Sequence, residues 1–232
     1  LRIRELLDGF FFDMQFLEKA RVTNDPTRYC MNGINVERND GGVFLIATNG
    51  RFMNFVEYEE NNAPELSEGF HIIRKCAKDM IILEKDESGV SFPRWRNVIP
   101  KENILAVDDV FVNDGKKEND CSFYEFIYIL NNLGSCINHK YLEPLAALNV
   151  SWDIYLNPYK INSAVMLKNR SRHILSPGKY TTVVMPLAHK CSAGISNALS
   201  LLDKTLQSVK EDKESVLFAD TIHRKAKPLF EI

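Results

Sequence analysis

Asn39-Asp40-Gly41-Gly42-Val43-Phe44-Leu45-Ile46-Ala47-Thr48-Asn49-Gly50-Arg51-Phe52-Met53-Asn54-Phe55-Val56-Glu57-Tyr58 is the stretch on which the fold turns. Two β-branched and aromatic runs are punctuated by Asn-Asp-Gly-Gly and by Asn-Gly, the residues that accept a positive φ at hairpin turns. The reading is a meander. Arg28 to Glu37 is its first strand, Val43 to Thr48 the return, Asn49-Gly50 a tight turn, and Arg51 to Tyr58 the third strand. Upstream, residues 9 to 22 place Phe12, Phe16, Leu17 and Ala20 at helical spacing, with Glu18, Lys19 and Arg21 mostly on the other side. Pro26 closes that helix by biasing Asp25 away from helical dihedrals.

Working downstream, 59 to 68 reads as a loop, Phe70 to Arg74 as a short strand, and Lys75 to Leu83 as a helix. Ser91 to Pro100 is an irregular connector with two prolines, and Ile104 to Val112 is a strand. The charged run from Asn113 to Asn119 marks an internal boundary. Helices are expected over 122 to 133 and 138 to 148, the latter capped by Asn138, and strands at Trp152–Leu156, Ala164–Lys168 and Tyr180–Met185. Residues 192 to 210 carry Ile195, Leu199, Leu202 and Leu206 on one helical face. The order helix, meander, helix, meander predicts an α+β class with largely antiparallel sheets.

At 232 residues, with 45% hydrophobic and 26% charged side chains, the chain has room and composition for one or two ordinary domains, which excludes a disordered or fibrous class. No run reaches the roughly 18 apolar residues of a membrane span. The start, Leu1-Arg2-Ile3-Arg4-Glu5, lacks both a signal-peptide pattern and an initiator methionine, and a trimmed N-terminus is expected. A net charge of -2 excludes a globally basic nucleic-acid coat but leaves local basic patches open. The 5 cysteines are scattered without Cys-x-x-Cys spacing, which points to reduced thiols in a cytoplasmic protein.

Signatures of chemistry are missing. There is no Walker loop, no Gly-x-Gly-x-x-Gly after a strand, and no His-Glu-x-x-His. His71, His139, His173, His189 and His223 never pair at i, i+4, and Asp108-Asp109 on a strand would face opposite ways. The expectation is a protein that is not an enzyme and takes no cofactor and no metal.

Four segments together resemble the beta subunit of the bacterial replicative DNA polymerase III, the sliding clamp. Arg28-Tyr29-Cys30-Met31-Asn32-Gly33 is similar to a family strand that ends in a leucine-asparagine-glycine step. Ala47-Thr48-Asn49-Gly50-Arg51-Phe52-Met53 is similar to the family's Ala-Thr-Asp-Gly-His-Arg-Leu turn. Phe92-Pro93-Arg94-Trp95-Arg96-Asn97-Val98-Ile99-Pro100 parallels a Phe-Pro-x-aromatic-Arg-x-Val-Leu/Ile-Pro stretch. Tyr180-Thr181-Thr182-Val183-Val184-Met185-Pro186-Leu187 is similar to the Tyr-x-Val-Met-Pro sequence near the end of clamp chains.

The resemblance implies a DNA-clamp-like α+β fold, antiparallel sheets with helices on one face, in two abridged clamp-type domains. Residues 1–110 resemble the middle clamp domain and 111–187 a shortened last domain, followed by a helical tail over 188–232. It implies a DNA replication or repair processivity factor, with a peptide-binding pocket for linear motifs of DNA polymerase and other clamp-binding proteins. The implied walls are Thr48, Gly50, Arg51, Phe52, Met53, Pro93, Asn97, Val98, Val183, Met185, Pro186 and Leu187. Duplex DNA would be held without sequence specificity, its candidate contacts being Lys19, Arg21, Lys75, Lys78, His139 and Lys140.

Departures accompany these matches. Full clamps have three domains per chain and close as dimers, so a two-domain chain would need to form a trimer, a homo-oligomer of another order. Phe52 and Met53 replace an Arg-Leu step, Asn97 stands where a basic residue is usual, and the expected inner helices are poor in charge. The alternative reading is therefore a non-encircling interaction module. The tail carries Val216-Leu217-Phe218 and Pro228-Leu229-Phe230, similar to the Leu-Phe ending of clamp-binding peptides.

Overall fold

The computed structural model describes residues 2–3, 8–22, 31–39, 41–78, 80–89, 91–113, 121–122, 137–142, 145, 148, 150–157, 163–169 and 176–186. The expected helices over 122 to 133 and 192 to 210, most of the charged boundary, and the tail motifs lie outside the described residues. Residues Leu1–Pro186 form one compact unit.

Among the described residues its frame is a sheet of 11 strands. In chain order these are β1 (Arg2–Ile3), β2 (Gly33–Asn39), β3 (Gly42–Thr48), β4 (Phe52–Tyr58), β5 (Gly69–Ala77), β6 (Met80–Lys85), β7 (Ile104–Asn113), β8 (Cys121–Ser122), β9 (Ser151–Leu156), β10 (Val165–Asn169) and β11 (Lys179–Val184). Across the sheet the order is β1-β6-β5-β2-β3-β4-β11-β10-β9-β7-β8. All pairs are antiparallel except the short β7–β8 contact. The first half therefore ends at β4, which pairs with β11, the last strand of the second half, Phe52 opposite Val184 and Glu57 opposite Lys179. β7 pairs with β9 and so belongs to the second half's run of strands.

The opening hairpin forms as its residues dictate. Asn39 pairs with Gly42, and Asn39 Oδ1 accepts the Gly41 N–H at 2.9 Å. Gly42 sits at φ +132°, and a Cβ there would stand 2.2 Å from the Tyr58 carbonyl oxygen, so no other residue fits. The second turn closes on Gly50-Arg51, one residue later than expected, the Asn49 amide donating to the Phe52 carbonyl at 3.2 Å and Thr48 pairing with Met53 beyond it. Side chains hold it: Asn49 Oδ1 accepts from the Arg51 and Phe52 amides at 2.9 and 3.0 Å. Thr48 Oγ1 donates to the Phe52 carbonyl and accepts from the Gly50 amide.

The helix expected over Lys75 to Leu83 is instead strand. β5 continues to Ala77 and β6 pairs with it, with a register shift between Ile73 and Lys75. Ile72, Ile73, Ile81 and Leu83 are buried on that ladder, and β-branched residues prefer the pleated surface. Of the helix expected over 138 to 148, the described residues show a 3-10 turn at His139–Tyr141 and helical backbone at Leu145, with the Leu145 and Leu148 amides donating to the Leu142 and Leu145 carbonyls; its other positions lie outside the described residues. Asn138 still caps it, accepting the Lys140 amide at 3.1 Å.

The N-terminal helix α1 (Asp8–Glu18) packs on β2 to β5. Its buried stripe is Phe10, Asp13, Met14 and Leu17, with Phe16 and Ala20 also buried, whereas Phe12 is only half-buried. A carboxylate thus occupies a place that hydrophobicity alone assigns to an aromatic. Alternation along β4 fixes the two faces of the sheet. Asn54 and Tyr58 meet α1 through hydrogen bonds to the Phe16 carbonyl and Asp13, while Met53 and Phe55 join a second apolar cluster on the opposite face.

Near the other end of the meander, His71 is buried, its Nδ1–H donating to the Gly69 carbonyl at 3.0 Å. Burial holds its imidazole below the usual 6.5, with Lys85 adding to the same effect. A base whose folded pKa is depressed contributes stability that is complete above about pH 6.5 and declines as pH falls below it. The denaturant midpoint at pH 5.5 is expected below that at pH 7.5, and His71→Gln should narrow the gap. An unchanged gap in the variant assigns the pH dependence elsewhere.

Candidate functional site

On the sheet face opposite α1, Ile46, Met53, Phe55, Met166 and Val183 form one apolar cluster with Trp95. These residues come from β3, β4, β10 and β11, so the cluster straddles the pairing of the two halves. The two-proline connector lies over it. Phe92 stacks on Phe70 at 5.9 Å, and the Trp95 indole packs against Phe55 and Phe44 at 5.2 and 5.8 Å. Glu37 anchors the connector, accepting the Trp95 Nε1–H at 2.8 Å and pairing with Arg96 at 3.0 Å. The Arg96 guanidinium in turn lies 4.5 Å from the Trp95 ring.

Between this connector, the Thr48–Phe52 loop and the end of β11 lies a recess of about 90 Å³. The Met185 amide donates to the Arg51 carbonyl at 2.8 Å, which ties the strand end to the loop. From the loop and β4 come Thr48, Gly50, Arg51, Phe52 and Met53; from the connector Pro93 and Val98; from β11 and just beyond it Val183 and Met185. These sequence-derived residues, far apart along the chain, share one hollow. Asn97 is exposed on a 3-10 turn of the connector, Trp95–Val98, with its amide donating to the Arg94 carbonyl, and neither it nor half-buried Pro186 lines the hollow. Leu187 lies outside the described residues.

Sequence reasoning missed Met31, Arg94 and Trp95 as lining residues. Met31 precedes β2 in a turn, its carbonyl accepting the Val22 amide, where an unbroken strand from Arg28 was expected. Trp95 is 3% exposed, a wall of the recess and part of the core together. Both were legible as large apolar groups in the matched segments; their direction was not.

The recess fits side chains better than a whole small molecule, since small-molecule sites usually run to about 300–1,000 Å³. Its rim leaves Val98 and Met185 at 45% and 42% exposure, large apolar groups held in solvent at the edge of an apolar hollow. Methionine at such a rim repacks readily around different partners.

The cationic candidates do not form one set. Lys19 is exposed just after α1, but Arg21 is engaged by Glu18 at 2.7 Å and Asn32 at 3.0 Å. Lys75 and Cys76 are adjacent in β5 and so point to opposite faces of the sheet, Lys75 exposed and Cys76 half-buried, and the helix expected to present Lys75 and Lys78 together is strand instead. Lys78 is exposed in the β5–β6 turn and Lys140 on its 3-10 turn, while the His139 side chain lies outside the described residues. Among the described residues no cluster of histidine, cysteine or carboxylate groups could hold a metal ion, and no helix is long and apolar enough to cross a membrane.

By sequence the chain matches no protein-family model and no curated protein. Solved structures do match. The Borrelia burgdorferi DNA polymerase III subunit beta, in complex with a natural product, superposes with a TM-score of 0.52 at 11% identity, covering 81% of this chain and 64% of that one. The fold is clamp-like. The Pseudomonas aeruginosa sliding clamp with ligand gives 0.53 at 13% identity, covering 82% of this chain and 66% of that one. The C. crescentus beta sliding clamp with PEG bound gives 0.53 at 13%, covering 82% and 65%. The chain thus spans just under two thirds of the length of these clamps, and the likeness is one of clamp fold at low identity.

Proposed function

We propose that this chain is a sliding-clamp-type, non-enzymatic DNA replication or repair accessory that docks short linear peptide motifs of polymerases and related proteins in the Met53–Trp95–Met185 recess. The observation that carries this reading is the meeting of three distant segments around one apolar hollow on a clamp-like sheet. An anchor pair such as Leu-Phe entering it buries two large side chains, each contributing about 2 kcal/mol. The chain reads as two clamp-type repeats with helices on one face, dividing ahead of β7 rather than at 110 as the sequence suggested, because β7 pairs with β9. The span of just under two thirds of a clamp is what two of three such domains occupy. On the same reading it is a cytoplasmic homo-oligomer that tethers its partner to duplex DNA.

A fluorescently labelled peptide ending in Leu-Phe should bind with a micromolar Kd, and Met185→Asp should weaken it at least tenfold by placing a carboxylate on the apolar rim. No binding at 1 mM protein, or an affinity unmoved by Met185→Asp, overturns the docking reading.

The non-encircling module is the second reading, and the engagement of Arg21 with the reversal of Lys75 favours it. Retention on circular but not linearised DNA, together with a trimeric mass in solution, supports the ring. A monomer released equally from both supports the module.

A further inference from the structure

The described rim of the recess carries two arginines and, among the described lining residues, no acidic side chain to answer them. Arg51 and Arg94 both line the hollow and both are exposed. Neither guanidinium has an ion-pair or hydrogen-bond partner among the described residues, in contrast to Arg38, Arg74 and Arg96, which pair with Glu60, Glu84 and Glu37. No aspartate or glutamate is among the lining residues. Two cations from different segments thus line an apolar hollow, Arg51 on the β3–β4 loop and Arg94 on the connector.

Resting on the docking reading above, we infer that the recess selects acidic linear peptides, in which carboxylates flank an apolar anchor pair and meet Arg51 and Arg94 while the anchor fills the hollow. Arginine suits this role, since its planar fork binds a carboxylate through two N–H donors. A peptide is favoured over a nucleic acid because the hollow accepts apolar side chains and offers no open aromatic face for base stacking. Trp95 is 3% and Phe52 4% exposed. The two exposed charges act through solvent, so their effect is moderate and salt-sensitive.

The test compares three synthetic peptides with one Leu-Phe anchor and acidic, neutral or lysine flanks, titrated by fluorescence anisotropy against the full chain. At about 50 mM salt the acidic peptide should bind roughly tenfold more tightly than the lysine one, and the ratio should shrink toward one at about 0.5 M salt. Arg51→Gln with Arg94→Gln should bring the low-salt ratio close to one, whereas Arg51→Lys with Arg94→Lys should keep most of it. Circular dichroism reports whether each variant is folded. Equal binding of all three peptides by the native chain, or a ratio surviving in the double Gln variant, overturns acidic selection and leaves the docking reading intact. Binding of none of them overturns the docking reading itself. Displacement of the acidic peptide by a single-stranded oligonucleotide at an equal concentration of negative charge overturns the choice of peptide over nucleic acid.

Discussion

Asp13→Ala is expected to lower folding stability by about 3–5 kcal/mol, because it strips two buried hydroxyls of their shared acceptor. Asp13 is fully buried, and its two carboxylate oxygens accept the Tyr58 and Tyr180 hydroxyls, each at 2.6 Å. One tyrosine lies on β4 and the other on β11, so a single α1 residue clasps both strands of the central pairing. Nearby, Thr182 Oγ1 bonds Asn54 Oδ1 at 2.9 Å, and Asn54 bonds the Phe16 carbonyl at 2.8 Å, in line with the same seam. Alanine leaves two phenol hydroxyls in a dry interior, each costing about 1–3 kcal/mol. Asp13→Asn keeps one acceptor and should fall between the two. A loss under about 1 kcal/mol for alanine, by urea denaturation, would show that the clasp contributes little.

The same clasp sets an alkaline limit. Burial first, and then the charge of Asp13, raise both tyrosines above their usual 10. Acids with raised folded pKa values stay protonated where the unfolded chain has ionised. Their contribution is therefore whole below about pH 10 and declines as pH climbs above it. Tyr180→Phe should flatten that decline, at the expense of one lost hydrogen bond to Asp13.

Trp95→Ala should cost a comparable about 3–5 kcal/mol, the usual loss for truncating a buried tryptophan. The indole touches Phe44 and Phe55, and its loss also leaves Glu37 without the 2.8 Å N–H donor. Unlike Asp13→Ala, it removes a wall of the recess, so peptide affinity should drop at least tenfold even where the protein remains folded. Trp95→Phe separates the two effects. It retains an aromatic wall and should restore most binding, while still losing about 1–2 kcal/mol from the broken hydrogen bond. Equal peptide affinity for native chain and Trp95→Ala would remove the indole from the site.

Much of the meander was legible because its cues are local. Asn39 to Gly42 and Asn49-Gly50 announce turns, and the aromatic and β-branched runs around them alternate sides. Where cues conflict locally, the reading failed. Lys75 to Leu83 mixes lysines, an alanine and an isoleucine pair in a pattern close to helical. Pairing of Ile81 with Cys76 and with Ile3, a neighbour in space alone, made it strand. The burial of Asp13 was equally invisible, since only the approach of Tyr58 and Tyr180 makes a carboxylate acceptable there.

Composition, turn residues and strand alternation were enough to determine an antiparallel meander with an N-terminal helix, and the four matched segments were enough to point to the clamp fold and to most of the residues of the hollow. The hollow itself belongs to tertiary structure. It exists because β11 lays Val183 opposite Met53 and because the Trp95 connector folds back over both. Sequence spacing carries no information about which distant strands will share a hydrogen-bond ladder; that choice is made by the burial both faces gain when they pair.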